Sequence, residues 1–346
     1  MPETDSANTP STEQLVSDVL ATIERERERE IVARRFGLFD RKETLEQIGE
    51  MLGITRERVR QLEKSVVTRL RASAEQGNVP HINDFQNRLL ELLQADGDVA
   101  RVSKLTATLT ESPSREEQAR VAFLSQLCPK LVVINEDDNF YNSVGDRATR
   151  DEKALKARVS RLIETIKTIG EPQSVQEVAK AAGMEDSKQA EALMSTSKLL
   201  ATLNGRWGLI KWPMVNPKNI RDKIYVILKE HGKQMHFNEI AAAIKESDFK
   251  RKDVTTQAIH NELIKDKRFV LIGRGIYALK EWGYEKGTVA DIITEVLKQA
   301  GEPLHRDEIV KRVLKSRFVK ETTILLNLQG KPQFKRVAKA TYALAD

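Results

Sequence analysis

The sequence is poor in cysteine, aromatic residues and long apolar runs. Its single cysteine, Cys128, cannot close a disulfide within the chain. Aromatic residues make up 5% of the chain, and no apolar run approaches the about 20 residues that a membrane-spanning helix needs. The first residues, MPETDSANTP, lack the apolar segment of a secretion signal. We therefore expect a protein of the reducing cytoplasm with no membrane partner.

Motifs for catalysis or metal binding are also missing. There is no Walker loop, no HExxH sequence and no nucleophile elbow, and Gly273-Arg274-Gly275 fits a hairpin turn better than a nucleotide loop. None of the five histidines has zinc-ligand spacing to another ligand; they are His81, His231, His236, His260 and His305. The sequence thus predicts a protein that is not an enzyme and holds no cofactor or metal. Cys128 is expected in a core.

The positive charge is unevenly distributed. The whole chain has 57 Lys and Arg against 51 Asp and Glu, a net charge of +6. From residue 216 onward there are 26 basic and 17 acidic residues, so this third carries +9 and the rest −3. A basic segment of this kind is typical of proteins that bind a polyanion such as nucleic acid.

A pattern of glycine followed by an acidic-apolar pair recurs along the chain. The pair follows its glycine by seven residues in three clear copies and one looser copy: Gly170 with Glu177-Val178, Gly232 with Glu239-Ile240, Gly301 with Glu308-Ile309, and Gly97 with Lys104-Leu105. Each copy reads as a helix ended by glycine, two shorter helices, and two apolar runs split by turn residues. Three helices and a β-hairpin form a winged helix. His236 and His305 hold one repeat position, where a helix begins.

The predicted fold is therefore mainly α with small β-hairpin wings, a helix-turn-helix followed by four tandem winged-helix units. Such a chain, too long for one ordinary domain, builds several small cores. The predicted segments are a disordered tail at 1–13, the helix-turn-helix at 14–77, and winged helices at 81–146, 152–213, 216–284 and 286–346.

The helix-turn-helix has the most specific local pattern. Thr44 and Gln47 form a capping box, Gly53 breaks the helix that follows, and Thr55 caps the next one. A short helix, a glycine turn and a longer helix would bury one shared apolar set: Ile48, Leu52, Ile54, Val59, Leu62, Val66 and Leu70.

The longer helix keeps a polar face that suits base recognition. Arginine binds guanine in a bidentate manner, glutamine reads adenine and glutamate accepts from cytosine, which Arg56, Glu57 and Gln61 could do. Arg58, Arg60 and Lys64 could neutralise phosphates. The alternative is a solvated helix with charge pairs three and four residues apart.

These residues closely resemble region 4 of the primary, sigma-70 type sigma factors of RNA polymerase. The likeness covers about residues 14–72, and three stretches carry it: Arg35-Phe36-Gly37-Leu38, Thr44-Leu45-Glu46-Gln47-Ile48-Gly49 and Thr55-Arg56-Glu57-Arg58-Val59-Arg60-Gln61-Leu62-Glu63-Lys64.

The resemblance implies double-stranded DNA as a partner. Arg56, Glu57 and Gln61 would face bases of a −35 promoter element. Phosphate contacts would come from Arg35, Thr55, Arg58 and the backbone at Thr44 and Leu45.

The resemblance also implies RNA polymerase as a partner. In that family the module docks on the flap of the polymerase β subunit, here through an apolar surface of Phe36, Leu38 and the helix around Ile31. The aromatic segment that melts the −10 element and the core-clamping helices have no counterpart, so we expect something other than a complete sigma factor.

A second resemblance covers residues 216–284. Three stretches look like the HARE-HTH winged helix, found in the amino-terminal domain of the RNA polymerase delta subunit and in domains fused to restriction enzymes: His236-Phe237-Asn238-Glu239-Ile240, Asp266-Lys267-Arg268-Phe269 and Ile272-Gly273-Arg274-Gly275-Ile276-Tyr277-Ala278-Leu279-Lys280-Glu281-Trp282. This likeness implies DNA contact or docking on polymerase. Residues 286–346 resemble a truncated relative of the same unit.

Further DNA contacts are predicted in the last two units. In the third they lie on one face of a helix: Gln257, His260, Asn261 and Lys265. In the fourth they form a possible phosphate track: Lys331, Lys335, Arg336 and Lys339. The corresponding helices of the first and second units, 115–127 and 186–199, are less basic and read as spacers or protein-binding elements.

The sequence favours a bacterial or phage transcription regulator that reads promoter-type DNA, docks on RNA polymerase, or does both. One alternative is a polymerase-binding adaptor or inhibitor that uses the sigma-like module against the flap and the winged helices against proteins. A restriction or defence accessory is a third hypothesis. Target promoters, the direction of regulation and the oligomeric state stay open.

Overall fold

The computed structural model describes residues 10–249, 251, 253–284 and 287–345. These residues form 16 α-helices and four three-stranded antiparallel sheets, which confirms the predicted fold class. Residues 1–9 of the predicted tail and residues 286 and 346 of the fourth winged unit lie outside the described residues. The chain divides into two compact units, the first ending at Ile210 and the second beginning at Lys211.

Four helices open the first unit: α1 (Thr12–Ala21), α2 (Glu26–Phe36), α3 (Leu45–Leu52) and α4 (Arg56–Glu75). The predicted capping signals are present, since Thr44 and Gln47 form a reciprocal capping box and Thr55 accepts from the Arg58 N–H. Gly53 ends α3 at a φ of 63°. A Cβ at Gly49 would lie 2.7 Å from the Ile54 carbonyl oxygen, so the tight turn between α3 and α4 requires glycine there.

The helix-turn-helix has a small core of its own. Ile31, Ile48 and Val59 are completely buried, and four partly buried side chains pack around them: Leu45, Leu52, Ile54 and Leu62. The expectation that Val66 and Leu70 share this core is wrong. Both lie one or more turns further along α4 and belong to a larger core shared with the next module.

Two winged helices complete the first unit. The first consists of α5 (Ile82–Asp96), β1 (Val99–Arg101), α6 (Val102–Leu109), α7 (Arg115–Leu127), β2 (Leu131–Ile134) and β3 (Ser143–Asp146). The second consists of α8 (Glu152–Ile169), β4 (Gln173–Ser174), α9 (Val175–Ala181), α10 (Ser187–Ser195), β5 (Leu200–Leu203) and β6 (Arg206–Leu209). In both sheets the last strand lies in the middle. Asn204 and Gly205 turn the second hairpin with positive φ, as expected.

The second winged helix docks on the first through α10. A Cβ at Gly97 would lie 2.9 Å from the Gln189 Cα, and the Gln189 amide donates to Asp98 at 3.0 Å. The Tyr141 N–H also donates to the Thr196 carbonyl at 2.8 Å. Helix α10 is thus part of an interface between modules.

The second unit holds two winged helices with matching architecture. The first consists of α11 (Ile220–His231), β7 (Met235–His236), α12 (Phe237–Glu246), α13 (Thr256–Lys265), β8 (Phe269–Gly273), β9 (Ile276–Leu279) and a 3-10 helix (Lys280–Trp282). The second consists of α14 (Val289–Ala300), β10 (Leu304–His305), α15 (Arg306–Ser316), α16 (Glu321–Gly330), β11 (Phe334–Ala338) and β12 (Thr341–Leu344). The β8–β9 and β11–β12 hairpins pair their strands in the same register, and each has an irregularity at the corresponding position.

The residues of the repeat pattern lie where one helix ends and the next one begins. The four repeat glycines all end a helix in the left-handed region: Gly97, Gly170, Gly232 and Gly301. His236 and His305 are helix N-caps, which confirms their predicted role. At the third hairpin only Gly275 has positive φ. Gly273 does not, and a Cβ there would lie 3.1 Å from the Phe318 carbonyl oxygen.

Candidate nucleic-acid interface

The first two turns of α4 present an exposed polar face. The Arg56 side chain is 66% exposed, and its Nη1 lies 2.9 Å from the Glu46 Oε1. Arg60 donates to both carboxylate oxygens of Glu57, at 2.8 and 2.6 Å, and the Gln61 amide donates to the same carboxylate at 3.4 Å. The three predicted base-reading residues, Arg56, Glu57 and Gln61, are therefore neighbours on one solvent-facing surface.

The charged side chains on this face form ion pairs with one another. The hydrogen bonds from Arg60 hold the pKa of Glu57 below its ordinary value, and those bonds in turn raise the pKa of Arg60. Both groups are therefore fully charged at neutral pH. Exposed ion pairs of this kind contribute little free energy, so a ligand can exchange them for its own hydrogen bonds.

The predicted phosphate contacts fall into two groups. One group is exposed at the caps of α3 and α4 and on α4 itself: Thr44, Thr55, Arg58, Arg60 and Lys64. Leu45 is the first residue of α3. Arg35 differs, because it is half-buried and its Nε lies 3.2 Å from the Glu63 Oε2. It links α2 to α4 through this bond.

The apolar flank of the helix-turn-helix is covered within the first unit. Ile31 and Leu38 are completely buried, and the Phe36 ring packs 5.0 Å from that of Phe123 on α7. The Arg120 Nε donates to the Leu38 carbonyl at 2.8 Å. Leu38 and Phe36 belong to the core that α1 and α7 share, whereas Ile31 is buried in the small core of the helix-turn-helix itself. Contrary to the expectation, Ile31 and Leu38 are therefore not exposed for docking.

Arg120 is a residue that the sequence reading missed. It is only 8% exposed, pairs with Glu13 at 3.0 Å and with Glu117, and so connects α7 to α1 and to the turn after α2. Its only sequence signal is an arginine within the apolar run of α7. The paired, buried guanidinium fixes the first winged helix on the helix-turn-helix.

The candidate contacts of the second unit lie on two separate surfaces. On α13, Gln257 and Asn261 are exposed and their amides are bonded at 3.1 Å, whereas the His260 ring is half-buried against Phe237. Lys265 is exposed at the end of that helix. On the fourth unit, all four predicted basic residues are exposed on or beside strand β11: Lys331, Lys335, Arg336 and Lys339.

A third feature is an open cleft of about 870 Å³ in the first unit, lined by α4, β2 and the start of α8. Its charged lining is mixed, with Arg71, Arg147 and Lys153 beside Asp151 and a Glu152–Lys156 pair. Within the described part of the chain, no three His, Cys, Asp or Glu residues are placed to hold a metal ion. Nor does any described helix have the length and apolarity to cross a membrane.

Comparison with known proteins identifies one module. Residues 25–72 match the family "Sigma-70, region 4". The chain is 43% identical over 68 residues to the RNA polymerase sigma factor SigA of a Bacillus species, covering 19% of this chain and 18% of that protein. It is 51% identical over 49 residues to the RNA polymerase sigma factor RpoD of Helicobacter pylori, covering 14% and 7%.

A plant relative matches the same module. The chain is 50% identical over 46 residues to the RNA polymerase sigma factor sigB of Arabidopsis thaliana, covering 13% of this chain and 8% of that protein. The matched segment thus spans less than a fifth of each of these relatives. Residues 25–72 form a sigma-70 region 4 helix-turn-helix, a DNA-binding module.

Proposed function

We propose that this protein is a sequence-specific transcription regulator that reads a −35-like promoter element with α4 and is not a complete sigma factor. The observation that carries the proposal is the orientation of the helix-turn-helix. Its polar face with Arg56, Glu57 and Gln61 is open to solvent, while its apolar flank is packed inside the first unit. A ligand that approaches the open face meets hydrogen-bonding groups suited to base edges.

The roles divide along α4. Arg56, Glu57 and Gln61 read bases, because residues in the first turns of a recognition helix reach the floor of the major groove. Thr44, Leu45, Thr55, Arg58, Arg60 and Lys64 bind phosphates and set the register of the helix on the duplex. Arg35, half-buried beside Glu63, adds a phosphate contact from α2.

RNA polymerase is the alternative partner of the same module. The burial of Leu38 and the contact of Phe36 with Phe123 argue against docking on the β flap through those side chains, since α7 would first have to leave. An adaptor that acts through the flap therefore requires opening of the first unit.

The winged helices of the second unit supply additional affinity in this proposal. Lys331, Lys335, Arg336 and Lys339 are exposed along one wing, where they can neutralise phosphates without reading sequence. The HARE-HTH likeness of residues 216–284 fits a nucleic-acid contact by the third unit as well. Two linked weak sites bind more tightly than either alone.

The test is a fluorescence-anisotropy titration of the full chain against a −35-type duplex and a scrambled duplex. We expect preference for the −35 duplex, and Arg56→Ala should reduce that discrimination by about 1–3 kcal/mol. The matched control is Arg221→Ala, because Arg221 is a similarly exposed arginine paired with one glutamate in the other unit. It removes the same charge and should leave the preference intact.

Two results would overturn the proposal. The first is equal affinity for the two duplexes, with the same loss of affinity in Arg56→Ala and Arg221→Ala. That result would mean that the chain binds DNA through a nonspecific basic surface. An absence of DNA binding together with salt-insensitive binding to polymerase would make the flap adaptor the better account.

A further inference from the structure

The third winged helix contains a row of rings between α12 and α13. The ring centroids of His236 and Phe237 are 4.4 Å apart, those of Phe237 and His260 are 5.0 Å apart, and those of His260 and Tyr277 are 6.2 Å apart. Tyr277 is buried at one end, whereas the other three rings are half-buried. The row therefore presents aromatic surface to solvent.

Local structure fixes the position of each ring. The His236 Nδ1 accepts from the Asn238 N–H at 3.3 Å, which orients its imidazole at the start of α12. A Cβ at Gly275 would lie 2.5 Å from the His236 Nε2 and 3.0 Å from the Phe237 ring. Only glycine lets the β8–β9 hairpin approach these rings so closely. The row is thus held by a helix cap on one side and by the hairpin on the other.

The fourth winged helix shows that the fold itself does not need these rings. The two units correspond element by element, with His305 capping α15 as His236 caps α12, and with Ile324 and Leu328 buried on α16 where α13 buries Ile259 and Leu263. At the position of Phe237 the fourth unit has Arg306, and at the position of His260 it has Leu325. Leu325 packs partly buried against the core of its unit, so the fold has a side chain at this position but does not require a ring there.

Exposed polar and basic residues lie close to the row along the chain. On α13, the exposed amide of Gln257 lies one turn before His260. The exposed amide of Asn261 belongs to the residue directly after His260. Lys233 and Arg274 are exposed in the segments before β7 and between β8 and β9. Rings that stack on bases, amides that bond base edges and cations that neutralise phosphates are the components of a single-strand nucleic-acid site.

We propose that the His236, Phe237 and His260 row binds unpaired bases of single-stranded nucleic acid by stacking, with Gln257 and Asn261 against base edges. A duplex suits this surface less well, because its bases are already stacked on each other. The described residues of α13 also include no arginine, and His260 is held in the row and does not extend from the helix. The site lies in the second compact unit and does not depend on promoter reading by α4.

The experiment uses the full chain and a fluorescein-labelled oligothymidine of about 12 nucleotides, within the range that one single-strand module covers. His260→Leu and Phe237→Leu should each weaken binding by about 10-fold or more, since each removes a stacking ring. His260→Leu introduces the residue that the fourth unit has at this position. As a control, His305→Ala removes an exposed ring from the fourth unit and should leave oligothymidine affinity unchanged.

A second measurement does not depend on variants that fold. Photo-crosslinking of the native chain to oligothymidine with 4-thiothymidine should label peptides that contain Phe237 or His260. The proposal is overturned if the native chain does not bind the oligonucleotide, if both leucine variants bind as tightly as the native chain, or if crosslinks fall only on α4 or β11. It is also overturned if His260→Leu and Phe237→Leu lose duplex binding and keep oligothymidine binding. The effect of Arg56→Ala on −35 preference tests only the proposed function and not this site.

Discussion

Truncation of Phe123 tests whether the helix-turn-helix and the first winged helix share one core. The side chain is completely buried and contacts Phe36 across the two modules. Phenylalanine-to-alanine changes in a core destabilise by about 3–5 kcal/mol, which includes about 0.5–1.5 kcal/mol for an aromatic pair. This loss corresponds to about a 150- to 5,000-fold rise in the opening constant that hydrogen exchange measures.

The assay is native-state hydrogen exchange followed by mass spectrometry. In Phe123→Ala, protection should fall together in α2, α4 and α7, because side chains of all three helices lie in this core. Phe334→Ala, which truncates a buried phenylalanine of the fourth unit, should leave α4 unchanged. If α7 alone loses protection in Phe123→Ala, the helix-turn-helix is stable by itself, and the account of its covered apolar flank is wrong.

Three further predictions concern single residues. Gly49→Ala should destabilise the helix-turn-helix by about 1–3 kcal/mol and weaken duplex binding, because the Cβ would meet the Ile54 carbonyl; a raised melting temperature would contradict this. Burial raises the pKa of Cys128 to about 12, so its thiol should react with a disulfide reagent at pH 8 only after the protein unfolds. Immediate reaction in the native protein would show that the thiol is accessible. Hydrogen bonds from Arg268 hold the pKa of Asp266 below its ordinary value. The ionised carboxylate therefore stabilises the second unit above about pH 4, and this stabilisation is lost as the pH falls through the lowered pKa. Asp266→Asn should therefore cost about 1–2 kcal/mol in urea unfolding at pH 7 and much less at pH 3, and an equal cost at both pH values would refute the argument.

Local sequence signals predicted the elements of this fold well. The capping box of Thr44 and Gln47, the helix ends at the repeat glycines and the hairpin at Asn204 and Gly205 all depend on interactions within a few residues. Such interactions are written in short stretches of sequence. The same holds for the polar face of α4, whose candidate base-reading side chains are brought together by helical spacing alone.

Contacts between modules could not be predicted in this way. Phe36 and Phe123 are neighbours in the structure, yet they are far apart in sequence, and nothing near Phe36 indicates what covers it. The docking of α10 against Gly97 is equally nonlocal. Sequence reading recognised that α7 and α10 were short of basic residues, but not that both would pack onto the module before them.

Footprinting tests the central claim most directly. Hydroxyl-radical cleavage of a promoter fragment with the full chain bound should show protection centred on the −35 element. Arg56→Ala should need about 5- to 150-fold more protein for the same protection, while Arg221→Ala should need no more. Uniform protection along the whole fragment, or a protein requirement that Arg56→Ala leaves unchanged, would contradict sequence reading by α4.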